Sequence, residues 1–390
     1  MNVGVGEGQL AVPPGGRAWP HWMDVYSTPL DVGTTRNVLV VRTDHLGDLV
    51  LSTPFLETLR RSLPRSKVTA LVTPYTAPVL ERNPAVNEIL TLDRSTPSEE
   101  RNALYRHLHQ ERFDAVIALS PTTRAYAIAR HVRAPVRAGY IYSRRWVPRA
   151  ISGVLLTHRA VFHIDPLVQK GEAVPHEVEQ TLWFARALGF RPDAVPLRLY
   201  PDPVEVARAC GRLTASTERA SLPGYDESFE WDAASRRECP WLAVQFAPHW
   251  LRPPWSMQAF VDLLKRVQQA IPGVGLVIML GPQEGTYEHD LRASGIMGDR
   301  TKVMGKLTFS EWAGILGASR MALSPDTGSV HVAAAMRTPV VVAYEESSWS
   351  ICSQQWAPWL VAHRKVMKTT PAVAIPRIVE AVVDLWKPGR

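Results

Sequence analysis

The feature that most constrains this chain is a recurrence. Twice, a short apolar run stops at a small polar loop that opens directly onto a helical pattern. The first is Asn37-Val38-Leu39-Val40-Val41, followed by the loop Arg42-Thr43-Asp44-His45-Leu46-Gly47-Asp48 and a helical stretch from Leu49 to Leu63, with Leu51, Phe55, Leu59 and Leu63 on one stripe. The second is Met321-Ala322-Leu323, followed by Ser324-Pro325-Asp326-Thr327-Gly328-Ser329-Val330-His331, the helical Val332 to Met336, and a further strand-like run from Val340 to Tyr344. Strand, tight loop, helix and strand in that order build a parallel sheet covered by helices. Two such junctions far apart imply two Rossmann-like halves, and 390 residues exceed what one core normally supports. The fold class expected is therefore α/β, with a parallel sheet in each of two domains.

The stretches between the junctions continue the alternation. Strands are expected at Val68 to Val72, Glu88 to Leu92 and Ala115 to Leu119, and helices at 99 to 111 and from His176 to Leu188, before the stop at Gly189. In the second half, strands Trp241 to Phe246 and Val274 to Leu280 alternate with helices Met257 to Ala270, Ser310 to Leu316 and Ile375 to Trp386. Residues 1–36 are rich in Gly and Pro and read as an extension, with Trp19, Trp22 and Tyr26 as local anchors. The first half is then 37–200, a linker or insertion 201–240 and the second half 241–390, although Pro203 to Leu213 has a helical pattern of its own.

Each loop has the chemistry of an anion site. The first N–H groups of a helix lack internal partners and carry the positive end of its dipole, so a phosphate beside Thr327, Gly328 and Ser329 satisfies them. Gly328 also lets a ligand approach the backbone closely. An ordinary N-cap would account for Asp48 or Asp326 taken alone; the recurrence argues for more. The segment Arg124 to Arg149 interleaves Arg124, Arg144 and Arg145 with Tyr126, Tyr140, Tyr142 and Trp146, a composition that suits either a phosphorylated sugar or a solvated face.

Composition narrows the classes. With 46% hydrophobic and 21% charged residues the chain is of ordinary globular type, and no apolar run reaches the ~18–20 residues that span a bilayer. The start has no basic and apolar leader, and Cys210, Cys239 and Cys352 form no Cys-x-x-Cys pair, so a cytoplasmic protein is expected. A net charge of +7 favours anionic partners: nucleic acid, an anionic membrane surface or a phosphorylated glycolipid. No zinc-finger spacing or RRM-type signature supports nucleic acid. A nicotinamide-dependent dehydrogenase would place Gly-x-Gly-x-x-Gly after the first strand, and Thr43 to Asp48 does not contain it. No Asp-x-Asp pair or His/Cys cluster has metal-ligand spacing, so neither a metal nor a cofactor is expected.

The run Val40-Val41-Arg42 through Leu46-Gly47-Asp48-Leu49 to Thr53-Pro54, together with Asp326-Thr327-Gly328 to His331, resembles glycosyltransferase family 9, best known for lipopolysaccharide heptosyltransferases. The resemblance covers roughly residues 37 to 390 and implies a GT-B fold and an inverting, metal-independent transfer. The donor implied is a nucleotide-diphosphate sugar, ADP-heptose foremost, and the acceptor a lipopolysaccharide-core or related anionic saccharide at the cytoplasmic face of the inner membrane; another NDP-sugar serving a surface polysaccharide is the alternative. It makes Asp48 the general base, with Asp44 the competitor in the same loop, and a carboxylate at a helix N-terminus should have its charged form favoured. Donor contacts fall to Arg252, Glu284, Asp326, Thr327, Gly328, Ser329 and His331, and acceptor contacts to Arg42, Arg124, Arg144 and Arg145. Two departures stand out: Arg252 occupies the region where the family commonly has a lysine before a Trp, and Tyr344-Glu345-Glu346-Ser347 replaces Phe-Gly-Pro-Thr. Glu345 and Glu346 are expected to face hydroxyls or solvent, and Trp250 and Trp255 to cover nucleotide or sugar.

Overall fold

The computed structural model describes residues 19–214 and 239–387. Contacts divide the chain into two units, with the boundary between Pro196 and Leu197, and each unit has its own sheet and apolar core.

The first unit contains β1 (Met23–Tyr26), β2 (Asn37–Val41), β3 (Lys67–Val72), β4 (Glu88–Thr91), β5 (Ala115–Ala118), β6 (Val136–Tyr142) and β7 (His158–Phe162), in the spatial order β1-β7-β6-β5-β2-β3-β4. All pairings are parallel except β1 with β7. Val38 to Val41 are at most 2% exposed because helices cover both faces of the central strand, which is why β2 reads as an unbroken apolar run. The chain leaves β2 toward β3 and β4, then returns on the other side as β5. The loops after β2 and β5 therefore lie at a topological switch point, where open α/β sheets place their ligands.

The second unit is parallel throughout: β8 (Trp241–Phe246), β9 (Gly275–Leu280), β10 (Thr301–Met304), β11 (Met321–Pro325), β12 (Val340–Glu345) and β13 (His363–Lys368), ordered β10-β9-β8-β11-β12-β13. Its switch point lies between β8 and β11, so the loop after β11 is again the one singled out by sequence. Strands β10 and β13 were not expected from the sequence; β13 reads His-Arg-Lys-Val-Met-Lys, too polar for an apolar-run criterion, and lies at the sheet edge.

Three expectations need correction. The extension does not stay outside the core: Met23–Tyr26 pairs antiparallel with β7, Trp22 meets Phe162 edge-on at 5.7 Å, and the Leu30 N–H donates to the Leu188 carbonyl at 2.9 Å. Residues 1–18 of it lie outside the described residues. Within 201–240, helix Pro203–Thr214 belongs to the second unit and packs on helix Phe309–Ala318, where a Cβ on Gly314 would come 3.0 Å from Val206 Cγ1. Residues 215–238 of that segment lie outside the described residues. The helix expected from Leu49 to Leu63 is two, Leu46–Leu51 and Thr53–Ser62. Pro54 has no N–H to give the Val50 carbonyl, and Thr53 Oγ1 donates to that carbonyl instead at 2.8 Å.

Candidate active site

The first unit gathers its charges around one buried cation. Arg42, directly after β2, is 2% exposed. Its Nη1 donates to the Leu119 carbonyl and, at 2.9 Å, to the Tyr140 hydroxyl; its Nη2 donates to Glu177 Oε1 at 2.6 Å. Nε is 3.0 Å from Asp44 Oδ1, and Nη2 is 3.7 Å from Asp48 Oδ1. Glu177 is delivered by helix Glu177–Ala187, whose start is set by a reciprocal cap: the His176 ring accepts from the Val178 N–H at 3.1 Å, and the Glu179 carboxylate accepts from the His176 N–H at 2.9 Å. Thr43 N–H donates to Ser120 Oγ at 2.9 Å, tying the loop after β2 to the one after β5.

One guanidinium cannot compensate three carboxylates away from water. Asp48 is the most distant of them from Arg42, and burial first, then the neighbouring charges of Glu177 and Asp44, push its carboxyl up to about 8 against the opposing pull of Arg42. This reverses the expectation of a favoured charged form. The N-terminus of a helix is worth ~0.3–1 kcal/mol, less than a tenfold change in proton affinity, and it loses to desolvation and like charge. A carboxyl poised near neutrality is well matched to taking a proton from a hydroxyl.

The expected acceptor residues divide. Arg42 is committed to the protein itself and acts by positioning and charge. Arg124 donates to the Asp93 carbonyl at 2.6 Å, and Arg144 pairs with Asp165 at 3.2 Å. Arg145 donates to the Pro121 carbonyl at 3.0 Å, on the loop after β5, and lies over the Tyr142 ring at 5.9 Å; it is the arginine of the basic segment brought toward the cluster. Tyr126 and Tyr140 do not grip a sugar. Both are core residues, and the Tyr126 hydroxyl donates to the Tyr140 carbonyl at 2.7 Å. Glu177 was missed as a site residue: the only local signal was its place at the start of a helix.

In the second unit, helix Gly328–Ala335 follows β11, with Thr327 as its N-cap residue. Ser329 Oγ is 2.6 Å from Ser324 Oγ and 2.7 Å from Thr327 Oγ1, so three hydroxyls are linked at the helix entrance. His331 is buried one turn in. Burial raises the Asp326 carboxyl to about 6, against a hydrogen bond with the Cys352 thiol. Glu284 follows β9 and folds back over Gly281, where a Cβ would come 2.2 Å from Glu284 Oε2. The exposed Arg252 has its Nη1 3.8 Å from Glu345 Oε1, and Lys368, at the end of β13, has its Nζ 2.8 Å from the same oxygen and also donates to the His249 carbonyl. Glu345 therefore faces two cations, contrary to expectation, while Glu346 is exposed. Trp250 and Trp255 are also core residues, 0% and 4% exposed, with their indole N–H groups donating to the Gln245 and Thr369 carbonyls. Lys368 is 4% exposed and lies over the Trp255 ring, a buried cation that sequence reasoning missed.

Two Rossmann-like units, each with a polar loop at its switch point, form the GT-B architecture of glycosyltransferases. The family model of glycosyltransferase family 9 (heptosyltransferase) matches residues 101–374, more than half of the chain, and the chain belongs to that family. It is a glycosyltransferase that moves a sugar from a nucleotide-diphosphate donor to an acceptor. Among its relatives, lipopolysaccharide heptosyltransferase 3 of Escherichia coli strain K12 is 22% identical over 321 residues, covering 80% of this chain and 82% of that protein. A family 9 glycosyl transferase structure from Veillonella parvula superposes with a TM-score of 0.70 at 16% identity, covering 92% of this chain and 99% of that one. The structure of E. coli ADP-heptose LPS heptosyltransferase II gives 0.67 at 18% identity, over 90% and 98%.

Proposed function

We propose that this glycosyltransferase moves a heptosyl residue from ADP-heptose onto an anionic sugar of a lipopolysaccharide core at the cytoplasmic face of the inner membrane, inverting the anomeric centre without a metal ion. The observation that carries the mechanism is the Asp48 carboxyl held near 8 by its desolvated, acid-rich surroundings. As carboxylate, Asp48 takes the proton of the acceptor hydroxyl while that oxygen attacks the anomeric carbon. The bond from that carbon to the diphosphate oxygen breaks, and its electron pair leaves with ADP. Fixed donors meet the charge that develops: the N–H groups at the start of helix Gly328–Ala335, the linked Thr327 and Ser329 hydroxyls, and Arg252. Glu284 is assigned to the ribose hydroxyls. The heptose and lipopolysaccharide parts rest on the names of the relatives above, and Arg145 suits an acidic acceptor.

A second reading keeps the chemistry and changes the donor to another NDP-sugar for a surface polysaccharide. It is favoured by Arg252 and Glu345, which depart from the family pattern in the donor unit and are joined there by Lys368. Calorimetric binding of ADP, UDP, GDP and dTDP, followed by turnover of the matching sugar nucleotides, separates the two. ADP preference with turnover of ADP-heptose in excess chelator is expected. UDP preference without ADP-heptose turnover would remove heptose, and loss in EDTA restored by magnesium would remove the fixed-donor account.

A further inference from the structure

Helix Trp146–Leu155 turns Trp146, Val147 and Val154 to the outside. Among its ten residues Ser152 is the buried one, whereas Trp146 is 78% exposed, Val154 77% and Val147 38%. Trp146, Ala150 and Val154 recur every four residues and so share one stripe, with Val147 beside it, the inverse of the usual surface helix of a globular protein. The inner side carries Ser152, whose Oγ donates to the Arg149 carbonyl at 2.8 Å, and Leu155, half-buried against the core of the first unit. Around this stripe the charge is mainly basic, with Asp165, paired to Arg144 at 3.2 Å, as the neighbouring acid. Arg144, Arg145 and Arg149 are exposed, and no Asp or Glu occurs anywhere from residue 115 to residue 164, a span that holds eight arginines.

We propose that helix Trp146–Leu155 is a membrane-contact element that lays Trp146, Val147 and Val154 into the headgroup region of an anionic bilayer, with the neighbouring arginines on the lipid phosphates. Indole is at home where one side is apolar and the other wet, and an arginine keeps its head at the phosphates while its stem lies along apolar material. Each basic side chain near an anionic leaflet raises partitioning about fivefold, and an apolar face beside a cationic one defines an in-plane interfacial helix. A second copy of the chain fits less well, because pairing this stripe with itself would bring arginines against arginines. Nucleic acid would satisfy the arginines and leave the valines without a reason to be exposed. The element deepens the proposed function, since it lies in the unit assigned to a lipid-borne acceptor; vesicle binding needs no turnover, so the two readings fail separately.

The test is flotation of the full chain with vesicles of phosphatidylglycerol and phosphatidylethanolamine, against vesicles of phosphatidylcholine alone, at about 0.15 M salt where only close charges act. Binding at least tenfold tighter to the anionic vesicles is expected. The Trp146→Ser/Val154→Ser double variant should weaken it about tenfold, and Arg149→Gln should weaken it and flatten its salt dependence, with the nucleotide-induced thermal shift unchanged in all as the check on folding. Equal binding to both vesicle types, or undiminished binding by the double variant, overturns the proposal. So does a dimer in light scattering that the double variant dissolves, which would give the stripe to a second copy.

Discussion

The two switch-point loops differ in how each handles charge. After β2, one guanidinium faces three carboxylates, and the excess negative charge is relieved by a proton that Asp48 holds up to about 8. After β11, hydroxyls and helix N–H groups stand beside a single carboxyl, Asp326, which burial raises to about 6, while the nearby Glu345 is paired with Lys368 and approached by Arg252. The difference matches the division of labour: surplus carboxylate raises proton affinity for base work, and neutral or cationic donors suit a diphosphate. The helices follow suit. The first is broken at Ser52 and Pro54 after six residues, and the second runs unbroken into a buried stretch that directs its N-terminus at the loop.

The comparison is broken most sharply by Asp48→Asn. Turnover should fall by ~10³-fold or more while nucleotide affinity stays within about twofold, because a base acts on the acceptor and contributes little to donor binding. A crippled Asp44→Asn beside a mild Asp48→Asn in the same assay would reassign the base.

Removing the central cation from each unit sharpens it further. Arg42→Met strands three carboxylates and should cost ~3–5 kcal/mol in denaturant unfolding of the first unit. Lys368→Met should cost less, about 3 kcal/mol, because Glu345 keeps Arg252 at 3.8 Å. Equal losses would mean that the two groups are not different in kind.

Glu177→Gln tests whether like charge sets the base. With one negative neighbour gone and Arg42 freed toward Asp48, the acid limb of kcat/KM, expected near 8 in the parent, should move to lower pH. The same limb should stay in place in Lys368→Met. An unmoved limb in Glu177→Gln would remove the electrostatic account of Asp48.

The last test reads stability against pH. A carboxyl whose pKa is raised on folding binds its proton more tightly in the native state, so from about pH 4 to about 8 the native state holds more protons than the unfolded one, and stability falls as pH rises. Asp48→Asn removes that loss. Its melting temperature should match the parent near pH 4 and exceed it increasingly toward pH 8; a constant difference across that range would contradict the raised pKa.

Much of this protein was legible locally. The runs at Asn37–Val41, Trp241–Phe246 and Met257–Ala270 have the bounds that the structure gives them, because a strand buried on both faces and an amphipathic helix write their periods directly into consecutive residues. The positions of Asp48 and of Asp326 to Ser329 at strand-to-helix loops were readable for the same reason. Helix Trp146–Leu155 went unread because Trp146, Val147 and Val154 face outward among arginines, so composition suited either a sugar-binding segment or a solvated face.

What only the tertiary structure decided is which groups share a low-dielectric space. Glu177 reaches Arg42 across 135 positions of sequence, and Lys368 reaches the His249 carbonyl across 119. Neither pairing leaves a mark in any window of a helical turn or a strand. The Asp48 carboxyl shows the consequence: its local surroundings, a helix start, favour the anion by at most ~1 kcal/mol, whereas burial and a carboxylate from a distant helix favour the acid by more. Sequence determined where the carboxyl stands in the fold, and packing determined the pH at which it can act, because desolvation and unscreened charge depend on distance in space and not along the chain.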